Sequence, residues 1–406
     1  MLKHLSLTNF RNYARLEVEF PPGLILLVGE NAQGKTNLIE AIYYLSTFLS
    51  FQAESDRQLI NFSAAHDPLA VGRIVADYQR GQFSHRLEVR LILESENRNG
   101  ASRMRKEILL DGVKQKAAAA IGHFSSVVFL PQSIQIIEGS PEERRRFLNL
   151  AIGQVNPAYT EALTDFSRAI QQRNALLKLL SERGGDETQL DFWDQELARW
   201  GGFLIYERIQ ALHELEQIAT PIHRELTRGK EGLAFLYQPS YDPDSLPSAQ
   251  YRLAVNVAID RQRLPLQHIQ QGYLETLRKK RREDIQRGVT TVGPHRDEIR
   301  FLSNGLDLNL YGSRGQGRTA VVALKLAELE WIFQKRYQPP LFLLDEVLAE
   351  LDPLRRQDLL QRLLKCEQAI LTTTELGLFE RSFVERASVW RIRNGKVDIP
   401  ALSREE

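Results

Sequence analysis

Residues 29–36 read Gly29-Glu30-Asn31-Ala32-Gln33-Gly34-Lys35-Thr36, the spacing G-x-x-x-x-G-K-[ST]. This spacing suits phosphate binding. Glycines permit a tight turn whose backbone N–H groups face a phosphate chain, with the positive end of the next helix behind it. Lysine at this place reaches the β- and γ-phosphates, and the threonine hydroxyl binds Mg²⁺. Lys35 and Thr36 are therefore the first candidates for holding ATP with Mg²⁺. Much later, the apolar run Leu341 to Leu344 ends in Asp345 and Glu346. An aspartate at the tip of a buried strand beside a phosphate loop holds the metal or its water shell, and a neighbouring glutamate deprotonates the attacking water. These roles fall to Asp345 and Glu346. Alone, such a run is a weak signal, because buried strands tolerate acids at their tips. Its meaning comes from the loop at 29–36. A third feature is the glycine-rich turn Tyr311-Gly312-Ser313-Arg314-Gly315-Gln316-Gly317-Arg318, which opens a helix but lacks Lys-Thr. It fits either a helix cap made by Ser313 or an anion-binding turn that a second copy of the chain presents.

The elements that must position these groups are legible in the pattern. Leu24 to Val28 is short and apolar, as a buried strand is, and Leu38, Ile39, Ile42 and Leu45 recur at helical spacing. Val71 to Tyr78 and Phe83 to Leu93 predict a hairpin around Arg80-Gly81-Gln82, and Asp111-Gly112 predicts another. Glu94 to Ser102 is polar and reads as a loop. From Pro141 to Glu283 the character turns helical. Ala158 to Leu180 and Phe192 to Ile218 each repeat apolar residues at three- and four-residue steps, with a break at Glu182 to Asp186. They predict two antiparallel helices. Gln238 to Pro247 reads as a loop, and Arg252 to Arg287 as a helical region interrupted at Pro265. Short strands resume after Val289. The resulting division is 1–138, the N-terminal part of an ATPase lobe; 139–288, an inserted helical lobe; and 289–406, the C-terminal part of the ATPase lobe.

The 406 residues carry a net charge of only +1, so any nucleic-acid contact must come from local patches. A single cysteine, Cys366, excludes an internal disulfide framework and suits a reducing cytosol. No apolar stretch approaches the ~20 residues of a membrane helix, and Met1 to Phe10 lacks a signal-peptide core. A soluble, cytoplasmic protein without a membrane partner is expected.

Taken together the motifs are specific. The loop, the Ser313-Arg314-Gly315-Gln316 signature and the Leu344-Asp345-Glu346 strand occur in this order around an insertion. This resembles an ABC-type ATPase head of the SMC/Rad50 class, an α/β fold of mixed sheets plus a P-loop helix with an inserted helical lobe. It resembles most the RecF family of bacterial recombination and repair ATPases. Asn9-Phe10-Arg11-Asn12-Tyr13, the loop through Asn37, Gly139 to Leu148, Gly293-Pro294-His295-Arg296-Asp297 and Asp345 to Asp352 all carry the likeness. The resemblance implies that Gly29 to Asn37 bind the nucleotide, with Lys35 and Glu346 catalytic and Thr36, Asp345 and the Q-loop residue Gln132 at the metal. It implies that Ser313, Gly315 and Gln316 act in trans on the partner's γ-phosphate, and that Asp352 lies in a D-loop at the dimer interface. Arg11 and Asn12 are expected near the nucleotide. It further implies an ATP-dependent homodimer that binds single-strand/double-strand DNA junctions or gaps, hydrolyses ATP weakly under DNA stimulation, and works with RecO and RecR to load RecA.

Three departures stand out. Thr372-Thr373-Thr374-Glu375 occupies the place of a switch histidine, the D-loop Ala349-Glu350-Leu351-Asp352 lacks a leading serine, and Ser50-Phe51-Gln52-Ala53 lacks an expected arginine. The missing histidine keeps open an ATP-gated DNA scaffold with negligible hydrolysis. A transporter motor is disfavoured by the inserted helices, and a long-armed chromosome organiser by their shortness. The basic runs Arg144 to Arg146 and Arg278 to Arg282 fit a DNA surface or a charged helical surface equally.

Overall fold

Leu24, Ile25, Leu26 and Leu27 are all buried, and a strand buried on both faces belongs inside a parallel sheet. The computed structural model, which describes residues 1–94, 103–243 and 261–399, places it there. Strand Gly23–Val28 pairs in parallel with Gln368–Thr373 on one side and Ala387–Arg393 on the other. Gln368–Thr373 pairs in turn with Leu341–Asp345, which pairs with Ser126–Phe129. Lys396–Asp398 closes one edge in antiparallel fashion, giving six strands. The loop strand therefore ends at the same sheet edge as the strand that carries Asp345. Helix Lys35–Thr47 starts directly after the loop and buries Leu38, Ile39, Ala41, Ile42 and Leu45.

Beyond that helix lies a six-stranded antiparallel sheet, in the order Tyr13–Glu19, Leu2–Phe10, Leu69–Arg80, Phe83–Glu94, Arg103–Leu110 and Val113–Gln115. One apolar cluster joins both sheets to the helix, from Leu5 and Leu7 through Ile39 and Ile42 to Leu343 and Ile370. Both predicted hairpins are present. Gly81-Gln82 links Arg80 to Phe83. Asp111-Gly112 links Leu110 to Val113 with φ of 50° and 80°, the left-handed pair that suits a two-residue turn. The predicted loop at 94–102 lies, apart from Glu94, outside the described residues.

The chain divides into two units, Met1–Ser133 with Glu328–Glu406, and Ile134–Ala327. The return to the first unit therefore falls inside helix Arg314–Arg336 and not at residue 289. The reason is strand pairing. Glu298–Ser303 bonds to Leu233–Gln238 and to Leu306–Asp307, so the segment after 289 completes a small sheet of the second unit.

That second unit is built on helices Pro141–Val155, Pro157–Arg183, Leu190–Leu226 and Leu266–Arg287. Two of them match the predicted antiparallel pair, joined across Gly184. The predicted helical region from 252 is described only from 261, and its helix begins after Pro265. The part of the predicted 238–247 loop beyond Pro243 also lies outside the described residues. Gly201 lets three helices approach closely, because a Cβ there would stand 2.6 Å from Tyr273 and 2.8 Å from Phe166.

The same three helices share buried charges. Fully buried Arg173 donates to Asp194 at 2.8 Å, to Asp284 at 2.7 Å and to Thr290 at 2.9 Å. Asp284 also accepts from Thr291, and Asp194 also binds Arg281. Removing one member of such a group leaves the others charged and dry. Arg173→Leu is expected to destabilise the chain by about 3–5 kcal/mol, measured as a lowered urea midpoint followed by helical circular dichroism. A loss below about 1 kcal/mol, the range of an ordinary surface change, would show that both aspartates regain partners.

Candidate functional site

Gly34 holds φ of 117° and Ala32 φ of 64°, so the phosphate loop turns through the left-handed region twice before the helix begins. A Cβ on Gly34 would also meet Asn12 Nδ2 at 2.7 Å, and one on Gly29 would meet the Ile392 carbonyl at 2.4 Å. Glycine is needed at both ends of the loop for space as well as for turning.

Several contacts fix the loop from outside. Tyr13 Oη donates to the Gly34 carbonyl at 2.9 Å. Asn12 Nδ2 donates to the Gln33 carbonyl at 3.1 Å and is itself linked to Asn37, whose Nδ2 donates to Asn12 Oδ1 at 2.8 Å. The hairpin turn at Asn394-Gly395 grips Gln33 from the other side, through Asn394 N to Gln33 Oε1 at 2.7 Å and Gly395 N to Gln33 O at 3.0 Å.

Inside the loop, Lys35 is 3% exposed, and its ammonium meets three oxygens. It donates to the carbonyls of Gly29 (2.7 Å) and Glu30 (2.9 Å) and pairs with Glu346 at 3.2 Å. Thr36 Oγ1 donates to Asp345 Oδ2 at 2.8 Å, and Thr372 Oγ1 donates to Asp345 Oδ1 at 2.7 Å. Thr372 Oγ1 also accepts the Glu346 amide N–H at 2.9 Å. Glu346 stands in the left-handed region at φ 52°, which turns the chain sharply off the strand. Burial raises the Asp345 pKa above the usual carboxylate range, and the hydrogen bonds from Thr372 and Thr36 oppose that rise. Such a carboxyl is poised to gain from a cation.

The remaining expected residues fall at different places. Gln132 is exposed in the short turn after strand Ser126–Phe129, at the same sheet edge as Asp345. Asp352 caps helix Pro353–Leu363, accepting from Arg355 N at 3.1 Å and pairing with the Arg355 side chain. Asn12 touches the loop directly, but Arg11 does not. Its guanidinium makes a two-pronged pair with Glu40 at 2.7 and 2.8 Å, so it ties down the helix after the loop. Ser50 also donates to Glu40, at 2.5 Å. In the second unit, Ser313 Oγ accepts from Gln316 N at 3.2 Å while Gln316 Oε1 accepts from Ser313 N at 3.0 Å. This reciprocal pair is a capping box, and it leaves Ser313 and Gly315 exposed at the helix start.

The basic runs are partly engaged in structure. Arg144 is buried against Glu298 and the Gly139 carbonyl, and Arg145 donates to the Asp297 carbonyl. Arg281 pairs with Asp191 and Asp194, Lys280 with Glu283, and Lys279 with Glu275. Arg146, Arg278, Lys279 and Arg282 remain exposed.

The donor set fits a magnesium nucleotide. Among the described residues no group of three His, Cys, Asp or Glu forms a metal cage. A metal at Thr36 and Asp345 would thus need further oxygens from phosphate and water, and Mg²⁺ is bound in that way.

Known proteins resemble this chain in sequence and in fold. Residues 1–397 match the RecF/RecN/SMC N terminal domain family. The chain is similar to the DNA replication and repair protein RecF of Geobacillus thermodenitrificans (strain NG80-2), with 36% identity over 402 residues, 98% of this chain and 100% of that relative. The protein of the same name from Bacillus cereus (strain B4264) is 35% identical over 398 residues, 98% of each. Among solved structures, the recombination mediator protein RecF-ATPrS in the RecFOR pathway has a TM-score of 0.82 at 30% identity, covering 99% of this chain and 98% of that one. The Smc head domain bound to the C-terminal domain of ScpA from Pyrococcus furiosus has a TM-score of 0.50 at 15% identity, a likeness of fold alone. The ATPase-head fold expected from the sequence is the fold found.

Thr372 was visible in the sequence only as a departure from a histidine, yet its hydroxyl serves Asp345 and Glu346 at once. Thr372→Val keeps the shape and removes the hydroxyl. It is expected to cost about 1–3 kcal/mol, the penalty of unpaired buried polar groups, with Thr372→Ser restoring most of it. Thermal unfolding of the three proteins checks this, and equal stability of the valine and serine variants would refute it.

Proposed function

This chain belongs to the RecF family of RecF/RecN/SMC proteins, and from that premise we propose that it is an ATP-dependent DNA-binding protein of recombination and repair. In this reading ATP joins two copies, and the dimer binds gapped DNA and helps RecO and RecR load RecA. The observation that carries the reading is the meeting of Lys35, Thr36, Asp345 and Glu346 at one sheet edge.

Each group has a task that its surroundings suit. The backbone of Gly29 to Thr36 and the Lys35 ammonium bind the phosphates. A triphosphate offers Lys35 a stronger partner than one carboxylate, so nucleotide binding releases Glu346 from its ion pair. Glu346 then accepts the proton of the attacking water at its carboxylate. Thr36 and Asp345 would hold Mg²⁺, with Gln132 reaching it by way of water, and the ion would neutralise phosphate charge. Ser313, Gly315 and Gln316 meet the nucleotide of the other copy. The cap takes the Gln316 N–H, so the N–H groups of Arg314 and Gly315 at this exposed helix start are the ones to receive an anion. Asp352 belongs to the facing surface. Hydrolysis removes the shared phosphate and separates the copies, which couples DNA release to turnover.

The alternative, an ATP-gated scaffold with negligible hydrolysis, draws on the threonine at the place of a switch histidine. Phosphate release separates the two. A measurable rate on gapped DNA that Glu346→Gln abolishes supports the enzyme, and none at saturating ATP and DNA supports the scaffold.

Glu346→Gln is expected to accumulate an ATP-bound dimer, seen as a doubling of mass by light scattering. A monomer at saturating ATP would sink the shared-nucleotide reading. Asp345→Asn removes a buried carboxyl whose charged form is disfavoured, so the free chain should keep or raise its melting temperature. The Mg²⁺-dependent part of the nucleotide-induced shift should vanish in the same variant. A free chain that melts several degrees lower, or a retained Mg²⁺ effect, would contradict the role of Asp345.

A further inference from the structure

The opposite end of the parallel strands carries a second concentration of polar groups. A cavity of about 340 Å³ opens there, lined by Leu2, Tyr78, His123, Phe124, Pro340 and Gln368 among others. Leu341 and Gln368 begin the strands that end at Asp345 and Thr373, so the cavity lies away from the phosphate loop.

Three buried side-chain atoms without a hydrogen-bond partner belong to this one neighbourhood: Tyr78 Oη, His123 Nδ1 and Arg336 Nε. Arg336 also donates to the carbonyl of Gly122, beside His123. Among the described residues neither Arg336 nor Arg80 has an acidic partner. Burial, then the charges of Arg80 and Arg336, hold His123 below its ordinary pKa. Burial and Arg80 act on Arg336 in the same direction. The nearby acids are engaged elsewhere. Asp111 accepts from His85 and from Arg86 N, both at 2.7 Å, and Glu367 faces the Met1 amine. Tyr78 is held between His85 and Phe124, with ring centroids 5.6 and 5.4 Å away. Buried polar atoms are normally satisfied, and these three unpartnered atoms beside two cations with no acidic partner among the described residues suit an anion.

The surroundings select the kind of anion. Glu367 lines the same cavity and opposes a polyanion. Duplex nucleic acid brings one charge per ~1.7 Å, whereas a single carboxylate answers the unpaired donors. Phe124, Pro339, Pro340 and Leu341 offer apolar lining, and Tyr337 stands 87% exposed beside them. We propose that this cavity docks a segment of a partner protein bearing an aspartate or glutamate next to an apolar residue. The carboxylate accepts from Tyr78 and His123 on the cavity wall and is drawn by Arg80 and Arg336 behind it, the residues next to the lining Gln79, Gly81 and Tyr337, and its apolar neighbour packs on Phe124 and Pro340.

The test uses the full chain with ¹³C-labelled histidine, the His123 signal being identified by its loss in His123→Asn. Four probes are titrated: capped Leu-Glu-Leu, capped Leu-Gln-Leu, inorganic phosphate and a short single-stranded oligonucleotide. The glutamate peptide should shift the His123 signal saturably and bind roughly tenfold or more tighter than the glutamine peptide, as a charge-assisted pair requires. Arg336→Gln should abolish the shift while ATP binding stays intact, and Arg80→Gln takes its place if that variant does not fold. No saturable shift, equal binding of the two peptides, or a shift retained in the arginine variant would overturn the proposal. Phosphate or the oligonucleotide binding more tightly than the glutamate peptide would overturn it too.

Discussion

A single hydroxyl fixes the geometry of the two acids at the phosphate loop. Thr372 pairs with Asp345 across the parallel ladder, so its Oγ1 lies beside the Asp345 carboxylate and under the Glu346 amide. Glu346 could not otherwise hold a left-handed backbone cheaply, since that conformation costs a non-glycine residue about 1–3 kcal/mol. The bond from its amide to Thr372 offsets part of that cost. The turn carries the Glu346 side chain off the strand and onto Lys35. Position therefore passes from sheet register to hydroxyl, from hydroxyl to backbone turn, and from turn to carboxylate. A slip of one residue between these strands would replace Thr372 by Leu371 or Thr373 and reverse the faces.

The loop is held with similar redundancy from outside. Asn12, Tyr13 and the Asn394-Gly395 turn come from two distant stretches of chain and converge on Gln33 and Gly34, and Asn37 steadies Asn12. Fixed donors lose little freedom when an anion arrives, and that preorganisation makes a glycine loop effective. The Arg11–Glu40 pair extends the brace by one helical turn. Glu40 is fully buried, and with Arg11 and Ser50 as partners its charge is compensated where it stands.

This pattern explains what the sequence could and could not reveal. The loop strand, its helix, both hairpins and the antiparallel helix pair were legible because each is a local signal of spacing or turn chemistry. Asp345 and Glu346 were legible because an apolar run ends at them. Arg11 was expected at the nucleotide, yet its partner Glu40 is a helix residue whose burial no spacing could show. The C-terminal Asn394-Gly395 turn was invisible as a loop contact, since only the parallel pairing of Ala387–Arg393 with Gly23–Val28 brings it there. The boundary near 289 failed for a related reason. Strand Glu298–Ser303 has no sequence mark that says its partner is Leu233–Gln238.

Charge runs were the least informative signal, and the helix Leu266–Arg287 shows why. Its five successive cations spread around the helix, so they cannot share a task. Arg281 turns inward to Asp194, at the edge of the Arg173 network, while Lys279 and Lys280 meet acids on their own helix. Of the five, Arg278, Lys279 and Arg282 stay exposed, and Arg278 and Arg282, four residues apart, share one face. A polyelectrolyte contact scales with the cations free to neutralise phosphates. This run thus offers DNA roughly three such cations, not five. In a chain of net charge +1, a DNA surface must then be gathered from several elements. Binding that depends on assembling two copies is one physical way to gather it, because it doubles the exposed cations that face one duplex without raising the charge of either copy.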